Sequence, residues 1–388
     1  MTPAARVSAA IAVLDQWLGG MRAEAALKHW GRNNRYAGSS DRAAIRDLVF
    51  QAIRCRDSYA WLGGGLSGRA LMIGYCRDQS VDLEMIFSGD RFAPSLLVAD
   101  EALPRDLTDA PRAVRLDWPE ALLPEMQSYG DEADRICAQM RERAPVFIRV
   151  NRLRGDVAAA VSSLAADEIE AQPHPLSPTA LEVTANARRL AQSTAYQQGL
   201  VELQDAASQA VVDLAAAQPG DRVLDFCAGG GGKSLALAAQ TVARVDAHDA
   251  NPARMRDLPA RAKRAGADIH VLPGRPSHEA RYDLVYCDVP CSGSGSWRRD
   301  PEGKWALTEE RLGELAQVQG DILETASHFV RDGGVLVYAT CSLFGRENMA
   351  VVESFLSNHP NVRLTSARQF TPLDGGDGFF GARLVIKR

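Results

Sequence analysis

From residue 222 to its end, this 388-residue chain alternates short apolar runs with helical stretches, and few folds accept that alternation. Residues 222–226, 244–247, 282–288 and 334–340 read as strands, rich in Val, Leu and Tyr and closed by Gly or Pro turns. Strands alternating with helices predict a doubly wound, mostly parallel α/β sheet. Ligands of such sheets bind beyond the carboxyl ends of the strands. Cys291 and Cys341 each follow one of these runs, so two thiols are expected at the ligand-binding edge.

The preceding residues have other periods. Residues 5–140 are helical in pattern, with apolar residues at three- and four-residue intervals through 7–18 and 43–62. Ser40-Asp41 is expected to cap the second helix and Gly63-Gly64-Gly65 to stop it. Residues 146–151 and 180–184 read as strands around a helix at 157–166, with Pro173, Pro175 and Pro178 in the loop. Three domains follow: an all-α domain at 1–140, a small α+β subdomain at 141–203, and the α/β domain at 204–388.

Composition narrows the function classes. Forty-four basic and 49 acidic residues leave a net charge of −5, which argues against blanket coating of nucleic acid but not against a local basic groove. Seven cysteines, an odd number without small-domain spacing, argue for free thiols in a reducing compartment. No metal-ligand spacing, apolar span or signal peptide is read, so a metal-free protein of the cytoplasm, without membrane contact, is expected.

Two motifs point to a nucleoside cofactor. Cys227-Ala-Gly-Gly-Gly-Gly-Lys233 links a strand to a helix, where backbone N–H groups face an incoming ligand and glycine allows close approach. Asp249 ends the next strand, where a carboxylate holds ribose hydroxyls or caps the following helix; the two roles are compatible. His248 reads as a packing or solvated residue. Cys291 and Cys341, with Asp288 three positions before Cys291, supply a nucleophile and a proton donor.

Together, Gln204-Asp205 with Ser208, Leu224-Asp-Phe-Cys-Ala228, Gly231-Gly-Lys233, Asp288-Val-Pro-Cys-Ser-Gly-Ser-Gly295, Arg298-Arg-Asp-Pro301, Tyr338-Ala-Thr-Cys-Ser342 and Glu347-Asn348 resemble one family. It is that of S-adenosylmethionine-dependent RNA 5-methylcytosine methyltransferases of the RsmB/Fmu (Sun) type. Ser40-Asp-Arg42, Leu48-Val-Phe50 and Trp61-Leu62 are similar to its NusB-like helical domain. The resemblance implies a Rossmann-like methyltransferase sheet, an RRM-like middle subdomain, and an RNA-docking role for the helices.

It also implies site residues. Cys341 is the nucleophile, Cys291 assists product release, and Asp288 with Lys233 meets the base. Asp225, Cys227, Ala228, Gly229, Gly230, Gly231, Gly232, Lys233, Asp249, Arg254, Pro273, Gly274 and Asp288 surround S-adenosylmethionine. The family pattern carries Ala-Pro where this chain has Gly229-Gly230, and Asp near the adenine where it has Pro273. The implied substrate is an unpaired or flipped cytosine in small-subunit (16S) rRNA, acted on by a monomer. Transfer RNA, or binding without catalysis, remain open alternatives. Arg298 and Arg299 beside Trp297 and Lys304, and Arg149, Arg152 and Arg154, are expected to contact RNA.

Overall fold

The computed structural model describes residues 1–387. The chain forms two compact units: Met1–Arg143 joined by Trp297–Leu307, and Ala144–Ser296 with the residues from Thr308 onward. No helix among the described residues is long and apolar enough to cross a membrane.

The first unit is helical. Helices Pro3–Leu18, Ala23–Asn33, Ser39–Arg54, Arg56–Gly63 and Gly68–Asp78 surround a core that includes Leu14, Ile45, Tyr59 and Ile73. The single helix expected over 43–62 is two, broken at Cys55. Asp117, wholly buried, supplies the reason: its Oδ1 accepts the N–H groups of Asp57 (3.0 Å) and Ser58 (2.9 Å), donors that the second helix's first turn cannot satisfy internally. The expected cap at Ser40-Asp41 is also corrected. Gly38 occupies the N-cap position, and Asp41 instead pairs with the terminal ammonium of Met1 (3.2 Å) and with Arg6 (2.8 Å). The stop at Gly64 stands, left-handed at φ +85°.

Trp297–Leu307 belongs to this unit although its neighbours in sequence belong to the other. The last carbonyls of Ser39–Arg54 lack helical partners, and this segment provides them. Trp305 Nε1 donates to Ile53 O (2.6 Å) and Lys304 Nζ to Arg54 O (2.7 Å), while Arg54 Nε donates to Arg298 O (2.8 Å). Trp297, Arg298 and Lys304 are at most 2 % exposed, so the expectation that they contact RNA is overturned; Arg299 is exposed.

In the second unit a small antiparallel sheet comes first, with strands β1 (Val146–Val150), β2 (Glu170–Pro173), β3 (Ala180–Ala185) and β4 (Val201–Leu203) in the order β2-β3-β1-β4. Pro173 ends β2 instead of lying in a loop. β2 is an edge strand, where a missing N–H costs little. Arg149 is buried and donates to Gln204 Oε1 (2.7 Å), so it is not a surface contact for RNA, whereas Arg152 and Arg154 are exposed.

The large sheet comprises β5 (Val223–Asp225), β6 (Val245–Ala247), β7 (Ile269–Val271), β8 (Tyr282–Asp288), β9 (Val330–Thr340), β10 (Val362–Phe370) and β11 (Phe379–Ile386). Their order is β10-β11-β9-β8-β5-β6-β7, and β11 runs antiparallel to both its neighbours. This is the expected Rossmann-like α/β sheet. Strand order reverses between β5 and β8, so the ligand crevice opens at the carboxyl ends of those two strands.

Candidate active site

The glycine turn after β5 forms the floor. Gly229 and Gly231 are left-handed at φ +53° and +82°, and a Cβ at Gly231 would lie 2.1 Å from Leu258 Cδ1. Only glycine fits there without strain. The helix Gly232–Thr241 begins directly after it, with its free N–H groups at the crevice. Ala228 anchors the turn, its N–H donating to His248 O (2.9 Å) and its carbonyl accepting from Gly231 N (2.8 Å). Gly230 O accepts from Arg261.

Asp249 ties this floor to the end of β6. One carboxylate oxygen accepts from Gly229 N (2.8 Å) and pairs with Arg254 (3.2 Å), while the other accepts from Asn251 N (2.8 Å). It therefore fixes the turn, with oxygen lone pairs left for a ligand's hydroxyls; the expected cap is corrected, because Asn251 is the N-cap of the next helical segment and Asp249 only holds the N–H of Asn251. Asp225 lies behind the turn, fully buried and bonded to Ser234 Oγ (2.6 Å). Burial pushes its carboxyl up to about 7, against the Ser234 hydrogen bond that lowers it.

A cavity of about 390 Å³ adjoins Asp249, and Cys227, Phe226, His248 and Gly274 line it. That volume suits a small ligand. Pro273 is exposed and is not part of the lining. His248 stacks on Phe226 at 4.8 Å and packs the wall. The far wall is one face of the helix Glu309–Ser327, with Val318, Asp321, Ile322 and Thr325 at helical spacing. That wall has no signal in the sequence, because nothing local ties this helix to the strand ends it faces.

The thiols meet at the other side of the switch point. Cys291 and Cys341 follow the adjacent parallel strands β8 and β9, and their sulfurs are 3.4 Å apart. Asp288, ending β8, pairs with Lys233 Nζ at 2.7 Å, which brings the glycine-turn helix to the thiol pair. Burial lowers the Lys233 ammonium's proton affinity, but Asp288 outweighs it and the net shift is upward. Cys341 is held below the ordinary thiol range, first by the hydrogen bond from Cys291 and then by Lys233, against burial and Asp288. Cys291 is pushed up by the same contact with Cys341 and by burial. Both shifts favour Cys341 as the member of the pair that gives up its proton. Burial also raises Cys227.

One buried side chain sets both thiol loops. Glu347 accepts from the N–H (2.8 Å) and hydroxyl of Ser292, from the Ser342 hydroxyl, and from Gln319 Nε2 (3.0 Å). Ser292 and Ser342 are the residues after Cys291 and Cys341. In the sequence Glu347 stands out only as part of a motif, since its role depends on contacts across the fold.

The residues fit S-adenosylmethionine: a glycine cradle that side chains would fill, a carboxylate at the ribose position, and an adjoining cavity. Comparisons with known proteins agree. A family model described as 16S rRNA methyltransferase RsmB/F matches residues 212–384, and one for the RsmF/B-like ferredoxin-like domain matches 110–188. The chain is 33% identical over 276 residues to Ribosomal RNA small subunit methyltransferase B of Yersinia pseudotuberculosis serotype O:1b (strain IP 31758), covering 67% of this chain. It spans 64% of that relative's length. Among solved structures, PH0851 superposes with TM-score 0.77 at 22% identity, covering 100% of this chain and 99% of that one. A methyltransferase homolog protein from Pyrococcus horikoshii superposes with TM-score 0.63 at 24% identity, covering 71% and 97%. Both likenesses are of fold. With the two family models on consecutive parts of the chain and curated relatives a third identical to it, the chain belongs to the RsmB/F family of methyltransferases.

Proposed function

We propose that this chain methylates carbon 5 of a cytosine in small-subunit ribosomal RNA, through a covalent bond between Cys341 and the base. The observation that carries the reading is the 3.4 Å approach of Cys291 and Cys341 beside the Lys233–Asp288 pair. The relatives named for the ribosomal RNA small subunit support the substrate.

When bound, S-adenosylmethionine supplies an electrophilic methyl group on sulfur; the glycine turn and Asp249 would hold it. Carbon 5 of cytosine is a weak nucleophile. Cys341 therefore adds to carbon 6 first, and carbon 5 gains enamine character. Asp288 meets the N3/N4 edge of the base and protonates or stabilises it as charge builds, and Lys233 keeps Asp288 oriented. After methylation, carbon 5 gives its proton to water or another base at the site, the bond from carbon 6 to sulfur breaks with Cys341 leaving as a thiolate, and the ring double bond is restored. Cys291 assists that departure. A base that must reach a recessed thiol leaves its stack, which favours a loop or bulge over a duplex. By resemblance, the helical unit docks RNA.

The test is bisulfite mapping of 16S rRNA and bulk tRNA incubated with the protein and S-adenosylmethionine. One new 5-methylcytosine in 16S rRNA, lost with Cys341→Ala, is expected; methylation confined to tRNA rejects the rRNA substrate.

A further inference from the structure

We infer that Asp321, on the helix Glu309–Ser327, reads the exocyclic amino group of the cofactor's adenine. The inference rests on the proposed reading that S-adenosylmethionine occupies this crevice.

The strand order fixes how such a ligand must lie. The thiols sit at the ends of β8 and β9, the glycine turn follows β5, Asp249 ends β6, and Gly274 and Arg275 follow β7. The reacting sulfur belongs at the thiol end and the ribose at Asp249. The base then continues away from the thiols into the cavity between the β7 loop and the helix face.

An adenine there presents an amino donor and ring-nitrogen acceptors, and a site that selects it needs an acceptor for the amino group. The β7-loop residues that line the cavity offer no side-chain acceptor: Gly274 has none, and Arg275 only donates, which suits ring nitrogens. Asp249, held by Gly229, Asn251 and Arg254, is committed to the ribose hydroxyls. His248 Nδ1 donates to Phe226 O (3.0 Å), and its Nε2 is the rival acceptor that the Asp321 variants distinguish. The hydroxyl of Thr325 donates to the carbonyl of Asp321 (2.8 Å) and is an uncharged, weaker acceptor than a carboxylate. Asp321 lines the same cavity, and its Oδ1 accepts from Gln317 Nε2 (3.0 Å), so its carboxylate keeps further acceptor capacity. Val318 and Ile322, one turn apart on that face, give the base an apolar surface.

The experiment is calorimetry of the full chain with S-adenosylhomocysteine and with its analogue carrying hydrogen in place of the adenine amino group. The unsubstituted protein should prefer the amino form by about tenfold, the scale of one hydrogen bond to a charged acceptor. Asp321→Ala should remove that preference while leaving affinity for the deamino analogue unchanged. Asp321→Asn, which keeps a carbonyl acceptor, should retain part of it. The same preference in all three proteins overturns the assignment to Asp321. Failure of the unsubstituted protein to bind either compound removes the cofactor reading, and this inference with it.

Discussion

Glu347 grips Ser292 twice, through its backbone N–H and through its hydroxyl, and so fixes the residue that follows Cys291. Because the same carboxyl also takes the hydroxyl of Ser342, the separation of the two thiols is set by a third residue that touches neither sulfur. Glu347→Ala should leave buried donors unpartnered and cost on the order of 3 kcal/mol of stability. It should also slow covalent capture of RNA far more than it weakens cofactor binding. Glu347→Gln, which preserves shape and one acceptor, should recover most of the capture rate. Equal capture rates in the Ala variant and the unsubstituted protein, measured on a denaturing gel, would remove the positioning role.

Asp249 joins the glycine turn to the end of β6 by its bond to Gly229 N. Asp249→Ala should weaken S-adenosylmethionine binding by about 1–3 kcal/mol, because both the ligand's hydroxyls and the turn lose a partner. Calorimetry on a folded variant decides it. An unchanged dissociation constant would reduce Asp249 to a structural tie.

Asp225 gives the protein a dependence on pH. Its unfolded value is near 3.9, and burial raises the folded value to about 7. Between those limits the native state binds more protons than the unfolded one, so this residue's stabilising contribution is complete below about pH 4 and lost as pH rises through 7. Asp225→Asn removes the titration. Urea midpoints recorded from pH 4 to 8 should fall less steeply with pH in the variant, with the difference concentrated between 5 and 7. Parallel curves would show that Asp225 titrates normally.

Residues 1–143 are not a removable appendage, because Trp297–Leu307 folds with them. Deleting them uncovers Trp297 and Trp305, and strips Lys304 Nζ of its carbonyl acceptor on Arg54. The truncated protein should bind the apolar dye ANS and self-associate in sedimentation runs. A monodisperse product with an unaltered melting temperature would contradict this.

What could be read from the sequence was what local pattern controls. Tyr282–Asp288 and Val157–Ala166 appear with the expected bounds, since buried alternation and an N-cap at Asp156 are local properties. The paired thiols were legible for the same reason, each being placed by its own strand. Cys55 was not, because the break there depends on a carboxylate supplied by Asp117 from a distant part of the chain. Lys304 and Arg298 look like solvated charges in sequence, yet carbonyls at a helix end draw one inward and Arg54 bonds the backbone of the other. Asp321 stayed hidden because a helix's period states which residues share a face, not which cavity that face closes.

The division of labour between the thiols is open to direct test. The hydrogen bond shared with Cys291, together with Lys233, lowers the proton affinity of Cys341, and the same hydrogen bond raises that of Cys291. If Cys341 attacks carbon 6, Cys341→Ala should abolish turnover and any covalent RNA adduct. Cys291→Ala should still attack and methylate, with some loss of rate because Cys341 loses the hydrogen bond that lowers its proton affinity. Release should then fail, since the group that assists departure is gone. Given substrate RNA and S-adenosylmethionine, Cys291→Ala should therefore accumulate a denaturation-resistant complex, seen as a shifted band, and Cys341→Ala should show none. An adduct that survives only when Cys341 is lost would make Cys291 the nucleophile, reversing the two roles while leaving the reaction class in place.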